Sequence, residues 1–455
     1  MKTRVFTEES VIFISILRWF ILATVIGLIV GLSTAVFLKV LNWSIRLGSQ
    51  VPYYFVLLPV ALFASILLTQ YLAPDAEGHG TEKVIEAVHK RSGKIKPLVV
   101  PVKFLTTIIT LALGGSVGKE GPCAQIGGGL ASLVADLLRF NDRDRKKVVV
   151  CGISAGFASV FGTPIAGAIF GVEVLFVGSI VYDVLLPSFV AGLISYQVSS
   201  ALGITYFYHP IAFVPVFSHS FFIKVVLAGI FFGLCSCFLI EVLKVGKKLA
   251  DMGRIWSPWK GIIGGGLLAG LTLLFSTQYL GLGLGTIEAS LGGERVVWYA
   301  FILKVIFTSL TLNFGGSGGI VTPIFFVGAT AGTLFATVFN VDPGTFAAIG
   351  LVGLLAGAAN TPIAASIMAV EYFGAKIAPY AAVACVVSFV MTGHRSVYPS
   401  QVLAIEKSSF LEAAIGEEVE KIEATVRPGD ASLRQSVVWI VSVIKDRVYR
   451  RRKNH

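Results

Sequence analysis

Long apolar runs recur along this chain and constrain its fold more than any other feature. About 20 apolar residues span the hydrocarbon core of a bilayer. Hydrophobic residues make up 55% of the 455 residues and charged residues only 14%, which is more apolar surface than one soluble core can bury. The sequence therefore predicts an all-α membrane protein that crosses the bilayer several times. The main runs cover residues 10–40, 52–73, 98–113, 179–206, 222–243, 345–370 and 376–392.

Basic residues are concentrated in short loops and at the chain end, at residues 89–96, 139–147 and 445–455. Such a bias sets the orientation of membrane proteins, with the basic side cytoplasmic. We therefore attribute the net charge of +11 to topology and expect no nucleic acid as a partner. We expect a multi-pass protein of the inner cell membrane whose tails are cytoplasmic. Its parts are an N-terminal tail at 1–8, a transmembrane domain at 9–405 and a charged tail at 406–455.

Two motifs occur twice in the same order, which indicates a tandem duplication. The segment GGSVGKEGPCAQIGGGL (114–130) matches GGSGGIVTPIFFVGATA (315–331) at an offset of 201 residues, since 315 − 114 = 201. The segment GTPIAGAIFGVE (162–173) shares seven of twelve positions with NTPIAASIMAVE (360–371). We place repeat one at about 9–206 and repeat two at about 222–405. Repeats of this kind are typical of transport folds, where the substrate site lies between them.

The glycine-rich part of each repeat cannot continue a membrane helix. Glycine costs about 1 kcal/mol and proline about 3 kcal/mol relative to alanine in a helix interior. Proline suits the first turn of a helix, so Pro122 and Pro323 are each expected to open a new helix inside the membrane. A third start is expected at residues 77–89, where Gly78 and Gly80 break the chain and Thr81 can cap a helix. Free N–H groups at such helix starts bind anions without a formal cation, so we expect neither a metal nor a cofactor.

Glu120 stands at the first of these helix starts. A carboxylate at this place is itself an anion and can compete with a permeating ion, so its protonation or movement would open the path. An ionisable group at this depth indicates function. Its equivalent in the second repeat is Val321, and this asymmetry favours a special role for Glu120. The alternative is a structural glutamate that pairs with Lys119 or caps the helix.

These motifs resemble those of the CLC family of chloride channels and chloride/proton antiporters. The stretch from Gly118 to Pro122 is similar to the motif that carries the family's gating glutamate, which matches Glu120. The resemblance implies the CLC fold of two tandem, inverted repeats with broken and re-entrant helices. It also implies a homodimer in a lipid membrane in which each subunit holds its own pathway for chloride or a similar small anion. The residues implied to line the anion are His79, Gly80, Gly121, Ile320, Val321 and Tyr398.

Three departures from the family motifs bear on the function. His79 stands where the family has a serine that tunes the choice of anion, and Thr81-Glu82 replaces Ile-Pro. Val174 stands where antiporters of the family often have an inner proton glutamate, so we lean towards passive, channel-like conduction. The alternative is an antiporter that exchanges chloride, fluoride or nitrate for protons. For Glu173 and Glu371, which are equivalent in the two repeats, we expect structural hydrogen bonds.

A remote alternative is an intramembrane serine protease. The stretch from Gly315 to Gly318 fits the G-x-S-G pattern with Ser317 as nucleophile, and His394 lies downstream. One such match in a chain with 49 glycines is weak, and a helix break explains it better. We therefore expect a transporter and not an enzyme.

Overall fold

The computed structural model describes residues 2–211, 218–252 and 256–427, and the two halves of this chain contain eight α-helices each. The first half is α1 (Lys2–Ser49), α2 (Leu58–Leu72), α3 (Thr81–Lys90), α4 (Val99–Ala112), α5 (Glu120–Leu137), α6 (Asp142–Phe161), α7 (Pro164–Glu173) and α8 (Leu185–Ala201). The second is α9 (His219–Met252), α10 (Ser257–Leu274), α11 (Leu284–Leu291), α12 (Ala300–Asn313), α13 (Val321–Phe339), α14 (Pro343–Ala359), α15 (Pro362–Phe373) and α16 (Ala378–Met391).

Helix lengths fit a membrane domain that contains broken helices. Among the described residues, five helical segments are long and apolar enough to cross a bilayer, namely Glu8–Ser49, Tyr54–Leu72, Tyr182–Ala201, His219–Met252 and Val321–Phe339. Other apolar helices, such as α4, α7, α12 and α15, have only 10–17 residues. Helix α1 begins at Lys2 and thus includes the segment that the sequence analysis assigned to an N-terminal tail.

The core lies where four helices of the two halves pack in matching pairs, α5 on α6 and α13 on α14. Every residue of α14 after Pro343 is buried, as expected for a helix that is apolar all round. Close approach within each pair depends on glycine. A Cβ placed on Gly127 would lie 2.3 Å from the Gly152 carbonyl oxygen, and one on Gly328 would lie 2.3 Å from that of Gly350. The repeat found in the sequence is therefore also a repeat of helix packing.

The two broken glycine segments pair directly with each other at the centre of the molecule. The Gly118 N–H donates to the Gly319 carbonyl at 2.6 Å, and the Gly319 N–H donates to the Gly118 carbonyl at 2.6 Å. The serines two residues before these glycines also form a pair of equivalent hydrogen bonds, each with a threonine of the other half. The Ser116 N–H donates to Thr311 Oγ1 at 3.0 Å, and the Ser317 N–H donates to Thr110 Oγ1 at 3.1 Å. Backbone groups that a helix break leaves unpaired are thus bonded by the other repeat.

The predicted structural roles of Glu173 and Glu371 are confirmed by a second reciprocal contact. The Glu173 carboxylate accepts hydrogen bonds from the N–H groups of Ile363 at 3.0 Å and Ala364 at 2.8 Å, at the start of α15. The Glu371 carboxylate accepts from Ile165 at 3.1 Å and Ala166 at 2.8 Å, at the start of α7. Each glutamate lies in the last turn of one helix and caps the equivalent helix of the other half.

The chain after the last helix folds back onto one face of the membrane domain. Strand β1 (Phe176–Val177) pairs in parallel with β2 (Val402–Leu403), and β3 (Leu411–Glu412) pairs antiparallel with β4 (Thr425–Val426). Glu418 forms an ion pair with Lys90 at 2.8 Å, which raises the pKa of Lys90 and lowers that of Glu418. The described part of the charged tail is therefore docked; residues 428–455, including the basic stretch 447–453, lie outside the described residues.

Glu173→Ala tests the reciprocal caps. The substitution removes two charge-assisted hydrogen bonds from the start of α15, so we expect the free energy of unfolding to fall by roughly 2 to 4 kcal/mol. Equilibrium unfolding in detergent micelles measures it. The control is Glu294→Ala at an exposed position, which should change stability by less than about 0.5 kcal/mol. Equal effects of the two substitutions would contradict the assignment.

Gly319→Ala tests the contact between the two broken segments. A Cβ at this position would lie 2.7 Å from the Gly121 nitrogen and 3.2 Å from the Glu120 nitrogen, and these backbone atoms have no room to move. We expect a loss of about 1 to 3 kcal/mol in unfolding free energy, as for other overpacked sites. Gly266→Ala in α10 is the control, because nothing lies within 4 Å of its Cβ. That change should be neutral or stabilising by up to about 1 kcal/mol.

Candidate functional site

Two open cavities enter the molecule on opposite sides of the paired glycine segments. One, the far-side vestibule, is lined by residues that include Lys119, Glu120, Tyr206, Glu288, Thr322 and Tyr372. The other, the tail-side vestibule, is lined by residues that include His79, Glu82, Lys83, Glu86, Ser400 and the tail residue Glu420. The region between the two vestibules contains the residues predicted to line the anion.

Glu120 is buried at the inner end of the far-side vestibule, with only 3% of its surface exposed. Its backbone begins α5, but its carboxylate reaches the start of α13 in the other half. Oε2 accepts a hydrogen bond from the Thr322 N–H at 3.2 Å, and Oε1 accepts one from Thr322 Oγ1 at 2.5 Å. The side chain thus occupies a helix N-terminus with its own negative charge. No ion pair with Lys119 is found among the described residues.

The starts of α5 and α13 present unpaired amide groups to the space around Glu120. Within the part of the chain that the structure describes, the N–H groups of Gly121, Ile320 and Val321 donate no backbone hydrogen bond. Ile320 and Val321 are at most 1% exposed, so water cannot satisfy these donors freely. Buried donors without partners are costly, and a small anion is a suitable acceptor for them.

The third helix start lies close to the first. Helix α3 begins at Thr81, with Gly80 in the cap position at φ +78°. A Cβ placed on Gly121 would lie 2.0 Å from the His79 carbonyl oxygen and 3.1 Å from the Gly319 Cα. Segments from three helix starts therefore touch at one point. The prediction that Thr81 caps α3 is wrong, because Gly80 supplies the positive φ that the turn requires and Thr81 is already helical.

Tyr398 and His79 close the site towards the tail-side vestibule. Their ring centroids are 5.6 Å apart, and Tyr398 is fully buried. The Tyr398 hydroxyl and His79 Nδ1 both lack a hydrogen-bond partner among the described residues. The Thr81 hydroxyl lies near the phenol, but the two do not have hydrogen-bond geometry. A phenol and an imidazole with unused polar atoms thus stand beside the unpaired amides.

Two buried lysines, which were not predicted from the sequence, hold the turn before α3 and the equivalent turn before α11. Lys103 Nζ donates to the carbonyls of Ala76 at 3.1 Å and Gly78 at 2.5 Å, in the turn before α3. Lys304 Nζ donates to the carbonyls of Tyr279 at 3.1 Å and Gly281 at 2.8 Å, in the turn before α11. The signal was present in the sequence, because both lysines interrupt apolar runs and stand 201 residues apart, since 304 − 103 = 201.

The position that matches the inner proton glutamate of antiporters lines neither vestibule. Val174 is fully buried, and its carbonyl accepts a hydrogen bond from Gln401 Nε2 at 2.8 Å. It does not line the tail-side vestibule. Several carboxylates do line that vestibule, and the one in the first turn of α3 belongs to Glu82.

The structure does not support the protease alternative. The Ser317 hydroxyl accepts a hydrogen bond from Thr106 Oγ1 at 2.9 Å and lies 3.3 Å from Thr107 Oγ1. His394 Nε2 instead accepts a hydrogen bond from the Lys407 N–H at 3.2 Å. No hydrogen bond joins Ser317 to His394 in the described residues, so Ser317 has the structural role that its repeat partner Ser116 also has.

Known proteins share this architecture. Residues 60–393 match the family model described as voltage gated chloride channel. The chain is 38% identical over 397 residues to the "Chloride/fluoride channel protein" of Pseudomonas syringae pv. tomato, covering 85% of this chain and 86% of that one. An uncharacterised protein of Methanocaldococcus jannaschii is 25% identical over 393 residues, covering 85% of this chain and 96% of that protein.

Solved structures agree in fold. A CLC-type fluoride/proton antiporter superposes with a TM-score of 0.81 at 27% identity, covering 85% of this chain and 98% of that one. A slow cyanobacterial Cl−/H+ antiporter gives a TM-score of 0.71 at 20% identity, with coverage of 82% and 94%; at this identity the likeness concerns the fold alone. By its family match, its relatives and its fold, the chain belongs to the CLC family of anion-transporting membrane proteins.

Proposed function

We propose that this protein carries small monovalent anions between the two vestibules and that Glu120 is the gate. The observation that supports this most directly is the contact of the Glu120 carboxylate with the start of α13. In this position the charged side chain separates the far-side vestibule from the unpaired amides of Gly121, Ile320 and Val321. An anion and the carboxylate compete for the same donors, so only one of them is bound at a time.

Protonation is the step that opens such a gate. The ionised carboxylate is held by the Thr322 N–H and hydroxyl and by the positive end of the α13 dipole. A neutral carboxyl group has no net attraction to that dipole and leaves the amides free. The anion then binds there between His79, Gly80 and Tyr398 on one side and the starts of α5 and α13 on the other. Anion flux should therefore rise as the pH on the far side falls.

Chloride and fluoride are both candidate ions. One relative is named as a chloride/fluoride channel and one similar structure is that of a fluoride/proton antiporter. His79, where many family members have serine, adds an imidazole N–H to the set of donors. A strongly hydrated ion such as fluoride requires donors of this strength. We place the protein in the inner cell membrane as a homodimer, with the tail-side vestibule facing the cytoplasm.

Passive conduction and proton-coupled exchange are both compatible with this gate. Val174 in place of a glutamate favours passive conduction. Exchange for protons is the second candidate, and a specific observation favours it. Glu82 places a different carboxylate on the wall of the tail-side vestibule, so a group that accepts protons is available on that side after all.

Glu120→Gln tests the gate. The amide cannot ionise, so we expect anion flux from purified protein in liposomes to persist and its dependence on pH to disappear. Efflux of chloride and of fluoride, measured with ion-selective electrodes at several pH values, gives the result. Glu288→Gln is the control, because Glu288 lines the same vestibule; its pH profile should match the unmodified protein. An unchanged pH profile in Glu120→Gln would exclude Glu120 as the gate.

Thr322→Val tests how the closed gate is held. The change removes the hydroxyl donor to the ionised carboxylate, a charge-assisted hydrogen bond worth about 1.5 to 3 kcal/mol. Since about 1.4 kcal/mol corresponds to one pH unit, the pH of half-maximal anion flux should move upward by roughly one to two units. Thr333→Val is the control on the same helix, because Thr333 Oγ1 donates only to the Ala329 carbonyl of α13. A midpoint that stays constant or moves downward contradicts this role.

A further inference from the structure

Glu82 is a carboxylate in the tail-side vestibule that the gate mechanism does not use. It lies in the first turn of α3, three residues after His79. Oε1 accepts hydrogen bonds from the Ser400 N–H at 2.9 Å and from Ser400 Oγ. Oε2 is buried and has no hydrogen-bond partner among the residues described. Oε1 therefore holds the side chain in place, while Oε2 accepts no hydrogen bond from the described residues.

A chain of titratable side chains leads from Glu82 to the gate. His79 lines the same vestibule as Glu82, and its ring packs against Tyr398. The Tyr398 phenol is within electrostatic range of both Glu82 and Glu120. The backbone of His79 touches Gly121, the residue after Glu120. His79 and Tyr398 thus link the surroundings of Glu82 to those of Glu120.

The charged neighbours of this path come from several elements. Lys83 and Glu86 lie on α3 itself and pair with each other at 3.4 Å. Lys103 of α4 and Lys247 of α9 act electrostatically on His79. Positive charge near the imidazole disfavours a long-lived imidazolium, so a proton that reaches His79 would pass on quickly. The charged residues that line the same vestibule as Glu82 and His79 are Glu77, Lys83, Glu86, Lys90, Lys244, Lys247, Asp251 and Glu420.

We propose that Glu82 is the proton-accepting carboxylate of the tail side and that His79 passes its protons on to Glu120. The inference rests on the proposed role of Glu120 as the gate. A hydronium ion in the vestibule gives its proton to the Glu82 carboxylate and leaves water. The neutral acid gives a proton to one ring nitrogen of His79, and the imidazolium releases the proton from its other nitrogen towards the Glu120 carboxylate. Glu82 is then a carboxylate again, and the imidazole is neutral in its other tautomer, so a ring flip or proton exchange with water restores the first tautomer before the next proton passes.

This role explains how the chain can dispense with a carboxylate at residue 174. Val174 is buried and does not line the vestibule, whereas Glu82 is on the vestibule wall and only one turn from the anion site. The competing explanation is purely structural. In that case, Glu82 would only tie α3 to the loop that carries Tyr398, by way of Ser400.

Glu82→Gln separates the two explanations, because the amide oxygen still accepts from Ser400 but the side chain no longer titrates. Purified protein in liposomes is given an outward chloride or fluoride gradient, and anion efflux and internal pH are recorded together. We expect the unmodified protein to move protons uphill. In Glu82→Gln, anion flux should stay within about twofold while proton flux falls roughly tenfold or more.

Two further variants are matched controls. Glu86→Gln removes a carboxylate from the same helix and the same vestibule, and both of its fluxes should equal those of the unmodified protein. Ser400→Ala removes the hydroxyl tie but leaves Glu82 titratable, so proton flux should persist. A purely structural role predicts instead that Ser400→Ala and Glu82→Gln have similar defects.

Several results would overturn the inference. Proton flux in Glu82→Gln equal to that of the unmodified protein would exclude Glu82 as the proton acceptor, and an equal loss of both fluxes would show that it is a structural tie. Absence of proton movement in the unmodified protein would also exclude the relay. The anion pathway would not be affected by that last result, because anion flux and its dependence on Glu120 are measured in the same vesicles.

Discussion

Two hydrogen bonds between Gly118 and Gly319 are the constraint on which the rest of the structure depends. A membrane interior offers no water to a broken helix, so each break needs partners from the protein. Here each break is the partner of the other. Because only glycine permits this approach, the segments that start α5 and α13 meet face to face. Their amide groups then point into one space, and everything that concerns the anion follows from this meeting.

The contacts that hold the site together occur in both repeats, whereas the carboxylates to which we assign a function occur in only one. Paired features include the serine–threonine contacts, the buried lysines Lys103 and Lys304, and the two glutamate caps. Glu120 and Val321 are equivalent in sequence, yet one is a carboxylate and the other is apolar. Glu82 has no acidic counterpart in the second half, where Gly285 stands at the first turn of α11. The two carboxylates assigned to the pathway thus belong to one repeat, while the scaffold belongs to both.

The sequence allowed much of this frame to be predicted, because helix breakers in apolar runs have few physical solutions. The starts of α5 and α13, the duplication and the caps by Glu173 and Glu371 follow from local chemistry and from the repeat. Contacts between distant segments could not be predicted in the same way. The hydrogen bonds of Glu120 to Thr322, and of Glu82 to Ser400, join residues 202 and 318 positions apart. Thr81 was assigned as a cap because it favours that position in general, but the turn needed the positive φ of Gly80.

The reciprocal caps carry a consequence for the origin of the fold. In either half alone, the first amide groups of α7 or α15 would be buried without a hydrogen-bond acceptor. The glutamate of that half would likewise be buried without a donor. Two copies of a single half would satisfy each other completely, since each supplies what its counterpart needs. A half-length ancestor would therefore have been stable only as a self-associated pair, and fusion of its gene in tandem would have preserved every contact. Once joined, the copies were free to diverge, and acidic residues at the pathway could be confined to one of them.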